Sequence, residues 1–219
     1  MNLTEPHSPD AAFDLLHQDE ALLLLHKPAG LLAVPGRGAE KQDCLSARVQ
    51  AVFPQALTVH RLDMSTSGLM LMALDLATQR AVQRQFEQRS VSKGYIAVVE
   101  GRLQPESGEV DLPLCGDWPN RPRQRVDLQR GKPSLTRYRV LDYDAQADTS
   151  RLALEPVTGR THQLRVHLQA LGHAILGDPL YATAAVQARA ARLMLHAESI
   201  CLEHPLQRQK VCYHCPAPF

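Results

Sequence analysis

Six consecutive apolar residues, Leu69-Met70-Leu71-Met72-Ala73-Leu74, follow directly on the polar stretch His60-Arg61-Leu62-Asp63-Met64-Ser65-Thr66-Ser67-Gly68. A run with no polar alternation fits a strand buried on both faces, and it is far shorter than the ~20 residues that cross a bilayer. The stretch before it reads as a loop at the strand's edge, carrying one arginine and one carboxylate. No glycine-rich phosphate cradle accompanies it. A carboxylate held in such a turn is either a salt-bridge partner or a nucleophile, and the local pattern leaves both open.

The 219 residues fit one larger domain or two small ones. The first ten residues show no basic region followed by an apolar core, so no secretory signal is read there and a cytoplasmic setting is expected. Five cysteines, an odd number, are expected to be reduced thiols. Cys201, His204, Cys212 and Cys215 are zinc-ligating residue types in a C-x2-H-x7-C-x2-C spacing. Seven residues make a short loop for a zinc knuckle, and Cys201 and Cys212 also read as small apolar strand residues. No metal is expected.

A net charge of +1 hides a local bias. From Arg121 to Arg139 there are seven basic residues and one acid, Asp127. Between Arg80 and Lys93 there are four basic residues, Arg84 and Arg89 among them, and one acid, Glu87. The acids gather instead at 10–20 and 142–148. Such asymmetry fits either a side that faces a polyanion or a solvated loop with incidental arginines.

Residues 1–17 read as a loose polar lead-in, and 18–219 as one domain with no dividing linker. Strands are expected at 22–25, 67–74, 95–100, 193–203 and 210–213, and a hairpin at 135–143 and 151–157 with its turn at 144–150. Helices are expected at 43–53, capped by Asp43, at 75–89, capped by Asp75, and at 162–172 and 184–192. Strands and helices are interspersed without regular alternation. The fold class is therefore α+β, with a mixed, largely antiparallel sheet flanked by helices.

The order of residues narrows this further. His60-Arg61-Leu62-Asp63 with Thr66-Ser67-Gly68-Leu69 resembles the catalytic motif of the RluA family of RNA pseudouridine synthases. Lys27-Pro28-Ala29-Gly30-Leu31 resembles its early KPxGL segment, and Lys93-Gly94-Tyr95 its KxY element. Thr158-Gly159-Arg160-Thr161-His162-Gln163-Leu164-Arg165-Val166-His167 is similar to its TGRTHQLRVH element. Gly172 to Asp178 and Arg192 to Ala197 resemble the last two. Six motifs in family order over residues 22–219 form a specific match.

The resemblance implies an isomerase of uridine in structured RNA, on the pseudouridine synthase fold, with no S4-type accessory domain and no cofactor. It implies Asp63 as the essential carboxylate, Arg165 as its ion-pair partner and Tyr95 as a surface against the target base. Arg61 would fill the space of an extruded base, and Leu195 would line the uracil pocket. Arg84, Arg89, Lys93, Arg121, Arg123, Arg125 and Arg160 are expected to grip phosphates. The implied partners are 23S rRNA and/or the anticodon stem-loop of tRNA, with no membrane and no protein partner. His60, His162, His167 and His196 are expected to be structural.

Two other readings compete. One is a non-catalytic RNA-binding or RNA-chaperone protein on the same fold, which has no need of Asp63, Tyr95 and Arg165 together. The other is a hydrolase using Ser65 or Ser67, for which the G-x-S-x-G elbow is missing.

Overall fold

The computed structural model describes residues 13–219. In chain order the elements are β1 (Asp14–Gln18), β2 (Leu22–Lys27), α1 (Leu45–Gln50), β3 (Leu57–Thr58), β4 (Ser67–Ala73) and α2 (Leu76–Glu87). There follow β5 (Ser92–Glu100), β6 (Ser107–Asp111), β7 (Leu114–Gly116), β8 (Gln124–Val126), β9 (Leu135–Asp144) and β10 (Thr149–Pro156). The last are α3 (Gln163–Ala170), α4 (Ala184–Gln187), β11 (Leu195–Glu203) and β12 (Lys210–His214). The class is α+β as expected. Its hairpins and ladders run antiparallel, and Leu32–Cys44 forms an isolated parallel bridge.

The chain divides into two compact units. The first comprises the residues up to Ser92 together with Ala197–Pro218. Its strands lie in the order β1-β2-β4-β11-β12. Alternation along β2 and β4 sends Leu22, Leu24, Leu69 and Leu71 to a layer that includes Val82 of α2. Leu23, Leu25, Met70 and Met72 go to the opposite layer, against Leu45 and Val49 of α1. Both faces of these strands are covered, which is why β4 carries no polar residue between 68 and 73. Asp75 caps α2, its carboxylate accepting from the Thr78 amide at 2.8 Å.

Two boundaries differ from expectation here. Asp14–Gln18 is a strand, paired with β2 through Asp14–His26 and Leu15–Leu25, rather than part of a loose lead-in. The apolar edge of β2 supplies a ladder that the polar sequence DLLHQ does not advertise. Residues 1–12 of the expected lead-in lie outside the described residues. Asp43 does not cap α1 either. Its carboxylate is held by Arg48 at 2.7 Å through both oxygens, and the cap is Cys44, whose sulfur accepts from the Ala47 amide.

The second unit comprises Lys93–His196 with Phe219. Its strand order is β6-β9-β10-β5, with β7 and β8 forming a separate hairpin. One sheet face buries Ala97, Tyr138, Leu152 and Leu154 against Leu164 and Leu168 of α3. Arg137 and Arg139 alternate with the buried residues of β9 and face solvent. Arg137 is engaged by Glu109 at 2.8 Å and Glu155 at 3.8 Å. The expected helix over 184–192 stops at Gln187, because the following chain folds back over the Gly177 turn. A Cβ at Gly177 would collide with the Arg192 carbonyl.

Candidate active site

In the first unit the Asp63 loop is pinned from three sides. Lys27, the last residue of β2, has no exposed surface. Its ammonium donates to the carbonyls of Pro28 at 2.8 Å, Leu31 at 2.7 Å and Met64 at 3.0 Å. The Met64 carbonyl also accepts from the Gly30 amide at 2.8 Å. A buried charge is tolerated only when its donors are satisfied, and here its bonds tie the 28–31 turn to the residue after Asp63. His60 forms the second anchor. Its Nε2 accepts from the Leu71 amide at 3.0 Å, and its ring lies 4.9 Å from that of Phe86 on α2. Gly68 is the third: at φ 118° its missing Cβ lets β4 approach the Ala197 backbone, which any side chain would strike. Between these anchors the Thr66 amide donates to the Asp63 carbonyl at 3.1 Å. Asp63 is half-buried at the loop, and Arg61 is exposed.

The Thr158–His167 element belongs to the second unit, and its polar residues knit α3 to the β9–β10 hairpin. The Gln163 side-chain carbonyl accepts from the Thr158 hydroxyl at 2.7 Å and the Arg160 amide at 3.0 Å. Its amide donates to the Leu135 carbonyl at 2.9 Å and the Thr136 hydroxyl at 3.0 Å. His167, fully buried, lies between the Thr136 hydroxyl at 2.9 Å and the Leu112 carbonyl at 3.0 Å. The carbonyl requires a proton on Nε2, so the neutral ring accepts at Nδ1. Burial pulls its pKa down, the Leu112 bond opposing only in part.

Arg165 points from the same helix into a buried ion pair. Its Nε and Nη2 donate to the two oxygens of Asp178 at 2.8 and 2.6 Å, and the side chains are 2% and 0% exposed. Asp178 also accepts from the amides of Leu180 at 2.9 Å and Tyr181 at 3.1 Å. The Arg165 guanidinium sits 5.0 Å from the Tyr181 ring centroid. The Tyr181 hydroxyl accepts from the Gln124 amide at 2.8 Å and lies 2.6 Å from Nδ1 of His162. His162 opens α3 in the left-handed region at φ 55°. Asp178, Tyr181 and Lys27 carry these functions without having been assigned them from sequence. For Asp178 and Lys27 the signal available was a place inside a motif, Asp178 following a glycine and Lys27 ending an apolar strand; Tyr181 lies in none of the motifs.

Tyr95 and Leu195 come together in the second unit. Leu195 is buried in the cluster that contains Leu164 and Leu168 of α3, and Tyr95 packs half-buried against it. Asp63 belongs to the first unit; Tyr95, Arg165 and Leu195 belong to the second. The expected phosphate contacts are spread out. Arg84 is exposed on α2 and lines a cleft of about 530 Å³ with Arg208, Lys210 and Glu203. Arg89, two residues past the end of α2, sits at φ 59°, a left-handed position that favours glycine. Lys93 is half-buried on β5, and Arg160 is exposed, its Nε 3.3 Å from the Pro133 carbonyl. Arg121 and Arg125 are exposed on the β7–β8 hairpin, with Arg123 half-buried; Arg125 pairs with Asp127 at 3.2 Å.

The cysteines correct one expectation. Cys201 and Cys212 face each other across β11 and β12 and are joined in a disulfide, not held as reduced thiols. The antiparallel register places them opposite, which spacing alone does not reveal. His204 is likewise committed: Nδ1 accepts from the Leu206 and Gln207 amides at 3.3 and 3.1 Å, so Nε2 donates to Asp19 at 3.1 Å. Among the described residues no cluster of His, Cys, Asp and Glu is arranged to hold a metal. No helix there is long and apolar enough to cross a membrane.

The chain as a whole is similar to known proteins. A family model for RNA pseudouridylate synthase matches residues 21–170. The chain is 49% identical over 205 residues to the dual-specificity RNA pseudouridine synthase RluA of Escherichia coli K12, covering 94% of this chain and 93% of that one. It is 45% identical over 210 residues to the RluA of Pasteurella multocida, covering 96% and 95%. The structure of human RNA Pseudouridylate Synthase Domain Containing 1 superposes with a TM-score of 0.79 at 30% identity, over 99% of this chain and 87% of that one. The chain belongs to the RluA family of RNA pseudouridine synthases, isomerases that convert uridine to pseudouridine in RNA.

Proposed function

We propose that this pseudouridine synthase acts in the cytoplasm on a uridine in the anticodon stem-loop of tRNA and on one in 23S rRNA. Relatives nearly half identical to it are named for dual specificity. In the reaction the bond from uracil N1 to ribose C1′ breaks, the base turns, and C5 bonds to C1′. C5 gives up its proton and N1 gains one, so nothing is oxidised or reduced and no cofactor is required.

We assign Asp63, Tyr95 and Arg165 to catalysis. Asp63 acts as an ionised carboxylate by attacking C1′, attacking the ring, or taking a sugar proton. Arg165 supplies the positive charge that favours ionisation. Tyr95 offers a stacking surface, since a neutral phenol is a poor base, and Leu195 an apolar wall for uracil. Extruding the base costs a few kcal/mol, and the planar guanidinium of Arg61 suits the vacated space. Arg84, Arg89, Lys93, Arg121, Arg123, Arg125 and Arg160 hold phosphates, which position the RNA without reading its sequence.

The observation that carries this reading is the Asp63 loop. A fully buried lysine, a ring nitrogen and a glycine without room for a Cβ all fix the backbone around one half-buried carboxylate. Such preorganisation serves chemistry at a fixed atom. The test is to incubate the protein, with EDTA present, with tRNA and 23S rRNA that lack pseudouridine, and to map the product by chemical probing. New pseudouridine in both RNAs is expected. Product in one alone would end the dual assignment, and none in either would end the choice of substrates.

A further inference from the structure

Trp118 is the single tryptophan of the chain, and 72% of it is exposed. An indole left in water forgoes a large burial energy, so its position needs a reason. The guanidinium of Arg121 lies 3.1 Å from its ring centroid. One face is therefore occupied by a cation while most of the side chain stays open to solvent.

The loop that carries the pair is closed on itself. The Asp117 amide donates to the Arg123 carbonyl at 2.9 Å, and the Arg123 amide to the Asn120 carbonyl at 3.0 Å. The Asn120 amide donates to the Asp117 carbonyl at 3.0 Å, and its side chain to the Asp117 carboxylate at 2.9 Å. The hairpin behind the loop is linked to α3 through Tyr181. The Gln124 amide donates to the Tyr181 hydroxyl, and the guanidinium of Arg123 lies 5.5 Å from the Tyr181 ring. Tyr181 in turn touches His162 and Arg165 of α3.

The surroundings favour nucleic acid over an apolar protein partner. Arg121, Arg123, Arg125, Arg130 and Lys132 share the segment. Its two carboxylates are turned to their own loops: Asp117 to Asn120, and Asp127 to the Gln129 and Arg130 amides and the Arg125 guanidinium. We propose that Trp118, backed by Arg121, is a stacking platform for an unpaired nucleobase of the substrate RNA. This rests on the reading of the chain as an enzyme acting on RNA loops. Every base has a π-face, so the platform selects for an unpaired nucleotide near the target rather than for sequence. The Arg121 guanidinium keeps its N–H groups free for a phosphate or a base edge.

Because no other tryptophan is present, fluorescence excited at the red edge of the indole band, where the five tyrosines do not absorb, reports on this ring alone. The probes are a tRNA anticodon stem-loop oligonucleotide and the same stem as a blunt duplex, with affinities from filter retention. The stem-loop should quench Trp118 and the duplex should not. Trp118→Ala should raise the stem-loop Kd by about five- to a hundred-fold, the range for one lost stacked base, and leave the duplex Kd within two-fold. Trp118→Phe should restore most of the affinity. Equal quenching by both probes, or an unchanged stem-loop Kd in Trp118→Ala, overturns the platform and leaves the surface to a protein partner. Isomerisation of the same stem-loop by wild-type protein separates the two levels. Isomerisation without quenching defeats the platform alone; neither binding nor isomerisation defeats the substrate assignment and the platform with it.

Discussion

The buried Arg165–Asp178 pair makes a sharp prediction. In Asp178→Asn the shape is kept, but one carboxylate oxygen becomes an NH2. The side chain's remaining oxygen can still accept from Arg165 Nη2, Leu180 and Tyr181, as Oδ1 does now at 2.6, 2.9 and 3.1 Å. The new NH2 would then face the Arg165 Nε–H, donor against donor, where a 2.8 Å bond now stands. The guanidinium, 2% exposed, would keep its charge with that partner gone. Removing one member of a buried pair costs about 3–5 kcal/mol. For a chain of this size each kcal/mol lowers the melting temperature by about 2–4 °C, so a fall of about 6–20 °C is expected. Thermal unfolding followed by circular dichroism gives the value, with the exposed Asp142→Asn as a control expected within about 0.5 kcal/mol of wild type. At a temperature where the variant is folded, isomerisation should fall more than RNA affinity. A melting temperature within about 2 °C of wild type would refute the assignment of Asp178 as the anchor of Arg165.

Two further perturbations test other joints. Lys27→Met removes the donor to three carbonyls and should cost about 3–5 kcal/mol in chemical denaturation, with any folded protein turning over slowly because Met64 is released; wild-type stability would mean that the ammonium does not hold the Asp63 loop. The pH dependence of stability should show His167, whose burial lowers its pKa from the ordinary 6.5. Below that value the unfolded chain binds a proton that the folded ring resists, so this stability is full above about pH 6.5 and declines as pH falls. Urea unfolding at pH 7.5 and pH 5 should therefore diverge less in His167→Gln than in wild type, and an identical difference would discard the argument.

The parts of the fold that announced themselves are those whose pattern is local. The apolar run of β4 ends within one residue of its expected position, and alternation marked out β9 and β10. The Asp75 cap was legible from one side chain before an amphipathic helix. What escaped depends on distant partners. Strand β1 exists because β2 offers an edge, and α4 is cut short by packing against the Gly177 turn, which overrides its alanine content. Cys201 meets Cys212 only once the β11–β12 register is set.

The candidate site divides in the same way. Asp63, Tyr95, Arg165 and Leu195 were readable as members of motifs. The work of Lys27 and Asp178 was not, because it needs the chain reversals that bring residue 27 to 64 and residue 178 to 165. The sequence places these two residues inside segments that resemble family motifs. Their hydrogen bonds give them work: Lys27 fixes the residue after Asp63, and Asp178 fixes Arg165.

In the proposed mechanism Asp63 performs the chemistry and does not merely hold RNA or the fold. The most direct measurement is single-turnover pseudouridine formation by Asp63→Asn on the RNA that wild-type protein modifies, with RNA affinity and melting temperature measured on the same preparation. Asp63→Asn is expected to form no detectable product while keeping an affinity within several-fold of wild type and a native melting profile. Product formed by Asp63→Asn at the wild-type rate would contradict it.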